Sequence, residues 1–366
     1  MIKRFIAPLL ALVLLLFSLP VLAKDVEPTT LYVEGVERCK GAETLQAWLD
    51  GELTDNAASP TGGPVEWYVL ALIKRYPTLD YTRYERALRE RLPSGKITAP
   101  STKLKYALVL ACLGSSPDLV QATLDEAIGQ YDQLMTWVFG LHVLNAGYTA
   151  SERTREDVVE TILSKKNADG GWSIMGTNSD VDVTAMTLQA LAPNRDLPGV
   201  SDAVDGALTL LSSRQLESGG FKSNGDENAE SSAQVLLALS CLGMDARDAG
   251  FDGGYERILS GLSQFAAESG GFSHEIGGDV NELATSQVYL ALSSVLAVRG
   301  GKSSVYLPDV APGSFKATAS ESRFPFVVLY IAVPVLSASI AALFVLRRKR
   351  ESSATAPDDT PDEEPK

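Results

Sequence analysis

The sequence predicts an all-α protein: a closed double ring of about six antiparallel helix hairpins, followed by one C-terminal transmembrane helix. Three observations predict it. A Gly-Gly-aromatic unit recurs at Gly170-Gly171-Trp172, Gly219-Gly220-Phe221 and Gly270-Gly271-Phe272, each time ahead of an apolar helical stretch. Amphipathic and nearly all-apolar segments alternate along residues 39–298. An uncharged stretch, Phe324 to Leu346, is followed at once by Arg347-Arg348-Lys349-Arg350. Self-similarity at a period of about fifty residues marks a repeat architecture, because one such unit cannot bury its apolar face alone.

The chain begins with Lys3 and Arg4, an apolar run and the small residues Val21 and Ala23, so residues 1–23 read as a secretory signal peptide. From Cys39 to Gly51, the residues Ala42, Leu45, Trp48 and Leu49 stand at helical spacing and predict a first outer helix. Val65 to Tyr76 is apolar nearly all round, which in a soluble domain means a buried helix. The same alternation pairs Asp80–Leu92 with Ser101–Gly114, Asp118–Tyr131 with Leu134–Gly147, and Ser151–Lys166 with Asp180–Ala192. Val200–Gln215 then pairs with Glu230–Gly243, and Gly254–Ala267 with Glu282–Val298. An open array of such hairpins needs polar end repeats, whereas a ring buries its first repeat against its last.

These boundaries place the ring at residues 30–300 and a Gly-, Ser- and Pro-containing linker at 301–322. Residues 324–346 are long enough to cross about 30 Å of hydrocarbon, and the basic cluster after them predicts a cytoplasmic C-terminal side. The tail, residues 347–366, has too little apolar surface to fold. The expected protein is single-pass, with its bulk extracytoplasmic on a cell surface. The absence of any Asn-x-Ser/Thr acceptor fits a bacterial one. A formal net charge of −14 excludes nucleic acid as a partner, since no basic stripe exists to displace phosphate counterions. Three cysteines, Cys39, Cys112 and Cys241, are too few for a disulfide scaffold, and which of them could pair stays open.

In its three Gly-Gly-aromatic units and its alternating helices the chain resembles the prenyltransferase and squalene–hopene cyclase repeat superfamily, whose members form α/α toroids. The resemblance implies structural roles for Gly170, Gly171, Trp172, Gly219, Gly220, Phe221, Gly270, Gly271 and Phe272: a tight backbone after each outer helix and an aromatic wedge between hairpins. Asp180-Val181-Asp182-Val183-Thr184-Ala185 is similar to the Asp-x-Asp-Asp-Thr-Ala stretch that supplies the proton in terpene cyclases, which implies Asp182 as an acid. Val183 stands where that stretch has its second adjacent acid. Read as residues alone, Asn178 or Ser179 can cap the inner helix, with Asp180 and Asp182 in its first turn. Glu227 and Glu230, and then Asp279 and Glu282, precede the next two inner helices, and this recurrence favours capping.

Protein prenyltransferases hold zinc with an Asp, a Cys and a His, but His142 and His274 are the two histidines here and neither opens an inner helix. No metal and no cofactor are expected. Thr184 to Leu191 is similar to a helix of the transcobalamin-type corrinoid carriers, which pair their ring with a small β domain; no strand-rich segment lies between Val298 and the span. The leading reading is a non-catalytic ring whose mouth binds a ligand or partner, of corrinoid or isoprenoid-like kind by resemblance. Its candidate contacts are Trp172, Asp180, Asp182, Glu230 and Glu282. A cyclase or prenyl-transferring enzyme using Asp182 is the alternative, opposed by Val183, by a single ring and by 7% aromatic content, which leaves few π faces for a carbocation. A purely structural spacer or assembly partner is the third.

Overall fold

The computed structural model describes residues 27–223 and 225–318, in which helices follow one another with one two-stranded hairpin between them. The expected signal peptide (1–23), span (324–346) and tail (347–366) lie outside those residues. No helix among the described residues is long and apolar enough to cross a membrane.

Six helices form the inner ring: α3 (Val65–Arg75), α5 (Pro100–Leu113), α7 (Leu134–Asn145), α9 (Val181–Leu191), α11 (Ala229–Leu242) and α13 (Glu282–Arg299). Apolar positions on all sides of α5 and α7 are buried, as a helix covered by neighbours on every face requires. Each inner helix packs on the next, and α13 packs on α3. The outer layer holds α1 (Pro28–Cys39), α4 (Thr82–Arg91), α6 (Pro117–Ala127), α8 (Arg155–Ser164), α10 (Val200–Ser213) and α12 (Gly254–Ser263), and α2 (Leu45–Trp48) lies in the connection from α1 to α3. Helices α6, α8, α10 and α12 lean on the inner helix that precedes them, and α1 takes the same place against α13. Because every inner helix runs back from its outer partner, the inner N-termini share one end of the ring.

Local chemistry sets the boundaries. Proline opens α1, α5 and α6, where its missing N–H costs nothing. Thr154 and Asp157 form a capping box on α8, and left-handed Gly114 and Gly243 end α5 and α11.

The structure corrects two boundaries. The first outer helix is Pro28–Cys39 and not Cys39–Gly51: Thr44 caps only the short α2, whose end runs into a π turn at Leu49–Leu53 that Gly51 breaks with φ −95° and ψ −105°. The second correction concerns the stretch expected as a linker. After α13 the chain turns into the ring, and Val305 and Tyr306 are 1% and 3% exposed. The Tyr306 ring lies 4.4 Å from His142 of α7 and 6.5 Å from Trp67 of α3. Cys112 of α5 points its thiol at the carbonyls of Val305 and Tyr306, and the Val305 N–H donates to Ser294 of α13. With Cys241 of α11 also beside Tyr306, five of the six inner helices surround this segment, which places it inside the ring at its axis. Lys74, itself 3% exposed, fastens this plug by donating to Ser303 Oγ (2.7 Å) and the Leu307 carbonyl (2.7 Å) and pairing with Asp309 (2.9 Å). The Phe315 N–H reaches the Gly114 carbonyl at 3.2 Å. Cys39, Cys112 and Cys241 are free thiols.

Candidate functional site: the acidic mouth of the ring

The three Gly-Gly-aromatic units build one local structure three times. Asn167, Leu216 and Ala267 each accept an N–H from the first glycine and donate to the carbonyl of the second. The first glycine has φ between +94° and +104° in all three, a region open to glycine at no steric cost. The buried aromatic then hands its backbone to the inner helix. The Trp172 N–H goes to Thr184 Oγ1 (2.9 Å), Phe221 N–H to Ser232 Oγ (3.1 Å) and Phe272 N–H to Thr285 Oγ1 (2.9 Å). Its carbonyl receives the N–H of the helix cap: Asp180, Asn228 or Asn281. Those three caps in turn accept from Val183, Ser231 and both Leu283 and Ala284. Asp180 is therefore the cap itself. Ser179, one of the two expected caps, is held instead by Asp169, which also meets Arg214 at 3.0 Å.

This repeat makes Asp182, Glu230 and Leu283 equivalent, each the second residue of its inner helix. It also makes Ile174, Ser223 and His274 equivalent, each two residues after the aromatic. From that position the chain reaches back one repeat: Ser223 donates to the Asp180 carboxylate, and His274 Nδ1 lies 2.9 Å from Glu230 Oε2. His274 was not among the candidates, although its place in the repeat was readable from the spacing to Phe272.

The five candidates separate. Asp180, Asp182 and Glu230 come together with Ser223, Ser231 and His274 across α9, α11 and the loop before α13. Glu282 belongs to a second cluster at the start of α13, taking Lys40 Nζ at 2.6 Å and the Tyr68 hydroxyl at 2.9 Å. Trp172 is 0% exposed and donates its indole N–H to the Ile162 carbonyl, so its ring offers no surface to a ligand. Phe221 and Phe272 are buried in the same manner.

Asp182 is the unusual member. Burial pushes its carboxyl up to about 6; the Ser231 hydroxyl and His274 pull it back, while Asp180 and Glu230 add to the rise. The hydroxyl of the wholly buried Ser231 turns to this carboxyl, and beyond that contact neither it nor the buried Oδ1 has a hydrogen-bond partner. No group of three or more His, Cys, Asp or Glu among the described residues is placed to hold a metal ion. A cleft of about 430 Å³ opens beside the cluster between Asp180, Arg214, Lys222 and Ser223. A smaller apolar one of about 220 Å³, lined by Leu236, Met244, Val295 and Arg299, lies at the opposite ends of α11 and α13.

No family model matches the chain, and no curated protein matches its sequence. Solved structures do. A polysaccharide lyase aligns at 10% identity and TM-score 0.50 over 74% of this chain and 98% of its own. An unsaturated glucuronyl hydrolase from Bacillus sp. GL1, responsible for the degradation of glycosaminoglycan, aligns at 12% identity and TM-score 0.50 over 76% and 97%. Both are α/α toroids. The chain is an α/α toroid. Protein geranylgeranyltransferase-I from Candida albicans, at 12% identity, covers 78% of this chain and 94% of its own, but its TM-score of 0.46 is too loose to add to the comparison. These likenesses concern the fold, and none singles out a corrinoid carrier.

Proposed function

We propose that this toroid is a membrane-anchored, extracytoplasmic binding module that takes a ligand or partner at the mouth formed by its inner-helix N-termini, without transforming it. One observation carries the reading. Asp180, Asp182 and Glu230 meet at that mouth with His274, while Tyr306 of the same chain occupies the ring axis where a cyclase would need an empty apolar chamber. The full chain, purified in detergent from its own host and examined by native mass spectrometry, tests it. A co-purifying mass is expected in the wild type and is lost with Asp182→Asn plus Glu230→Gln. A mass that persists in that variant removes the mouth as the binding site, and a corrinoid or polyprenyl mass identifies the ligand class that the resemblance implies.

One observation favours a second reading, acid–base catalysis by Asp182. Its carboxyl, pushed up to about 6, titrates near neutral pH, as a general acid requires. The structural neighbours named as lyase and hydrolase are enzymes, but a glycosaminoglycan is an anionic polymer and would meet like charge at this mouth. Turnover of an added substrate that is abolished by Asp182→Asn with binding intact would favour this reading over the first.

A further inference from the structure

We infer that the mouth docks a basic polypeptide segment in which Lys or Arg alternates with large apolar residues; the inference rests on the binding reading above and names its ligand class. It starts from side chains that face water without an evident reason. Ile174 is 67% exposed, Met175 86%, Ile276 54%, Val280 41% and Leu283 46%. Isolated apolar residues on a surface are ordinary, but these five all stand on the loops that follow two Gly-Gly-aromatic turns or on the first turn of α13. Equivalent turns raise equivalent loops, so the five are gathered at the end of the ring that holds the acidic cluster.

Charge specifies the partner. The segments 222–230 and 273–283 carry Asp226, Glu227, Glu230, Glu275, Asp279 and Glu282 against Lys222 and His274; Lys40 already holds Glu282, and the other acids remain in excess. The row of equivalent second helical residues reads Asp182, Glu230, Leu283: two acids and an exposed leucine on neighbouring inner helices. Within it, Asp182 Oδ1 and the buried Ser231 hydroxyl have no hydrogen-bond partner beyond each other. An ammonium or guanidinium group supplies what this patch lacks, and charge-assisted bonds of that kind are the strong ones. A lone cation would leave the apolar loops without a role. An anionic lipid surface would be repelled. A chain that presents cations and apolar side chains in alternation satisfies both halves of the surface.

The test uses the full chain in nanodiscs and three short synthetic probes: a peptide alternating Lys and Leu, an oligolysine, and a peptide alternating Glu and Leu. The Lys-Leu peptide is expected to bind, and the Met175→Ser/Ile276→Ser and Asp182→Asn/Glu230→Gln pairs each weaken it roughly tenfold, about 1.4 kcal/mol. Oligolysine binds more weakly, and the Glu-Leu peptide does not bind. Equal binding of oligolysine, untouched by the serine pair, overturns the inference in favour of general surface charge. Capture by phosphatidylcholine vesicles that the serine pair abolishes overturns it in favour of a lipid surface. If no peptide binds but a co-purifying mass still depends on Glu230, the peptide is wrong and the binding mouth stands. If the Lys-Leu peptide binds and neither variant pair affects it, both fail.

Discussion

Gly270, in the last repeat, lies directly against Gly35 of the first helix: a Cβ at Gly270 would stand 2.2 Å from the Gly35 carbonyl oxygen. The same approach occurs between Gly219-Gly220 and Gly261 of α12, where a Cβ on Gly261 would meet the Gly220 nitrogen at 2.3 Å, and more loosely between Gly170 and Gly206 of α10. Each Gly-Gly turn thus seats on a glycine of the next outer helix around the ring. The Gly270–Gly35 contact is the one that joins the two ends of the described ring.

Gly270→Ala is expected to destabilise the protein by roughly 2–4 kcal/mol, combining left-handed strain at φ +104° with overpacking against Gly35. Gly206→Ala meets nothing within 4 Å in the middle of α10 and should instead gain about 0.5–1 kcal/mol of helix propensity. Denaturant unfolding of the two variants beside the wild type distinguishes them by sign.

Thr285 both accepts the Phe272 N–H and donates to its carbonyl. Thr285→Val keeps the shape and strands a buried backbone N–H, so a loss of about 1–3 kcal/mol is expected. Thr184→Val does the same at Trp172 and should cost a similar amount. A value near zero at either position would mean that the hydroxyl does not tie the turn to its helix.

Asp182 and His142 give opposite pH slopes. Asp182 titrates at about 6 when folded, against about 3.9 in an unfolded chain, so between those values the folded state holds a proton that the unfolded state has released. Stability contributed by this group therefore falls as pH rises from about 4 to about 6, by roughly 3 kcal/mol in all. His142 runs the other way: burial lowers it to about 3 against about 6.5 unfolded, so its contribution is lost as pH falls through that window. Melting temperature followed from pH 4 to 7 should decline more steeply on acidification in Asp182→Asn than in the wild type, and less steeply in His142→Leu.

Tyr306→Ala empties the ring axis and should cost roughly 3–5 kcal/mol, as removal of a large buried side chain does. Asp309→Asn leaves Lys74 its bonds to Ser303 and Leu307 but takes the counter-charge from a buried ammonium, so a smaller loss of about 1–3 kcal/mol is expected. Comparable losses in the two variants, measured by thermal unfolding of the full chain, would show that the latch and not the ring-filling phenol holds the plug.

The repeat was legible because it is local. Gly170, Gly219 and Gly270 announce a left-handed turn, the aromatic after each pair announces a wedge, and the acids and Asn residues that follow announce a helix start. Each depends on atoms within about one turn of chain, so residue type and spacing suffice to find it. Even there the exact cap is not Asn178 or Ser179, as the spacing suggests, but Asp180, because the Trp172 carbonyl takes the Asp180 N–H and so fixes where the helix starts. Three things belong to the tertiary structure alone: that Pro28–Cys39 is the helix on which the ring closes, that Tyr306 fills its axis, and that His274 reaches back to Glu230. Each joins residues distant in the chain through packing, and no local pattern encodes which distant surface a glycine, a tyrosine or a histidine will meet. The sequence by itself determined a ring of helices with an acidic end; the long-range contacts decided which of those acids stand together, because burial and neighbouring charge exist only once the repeats are closed on one another.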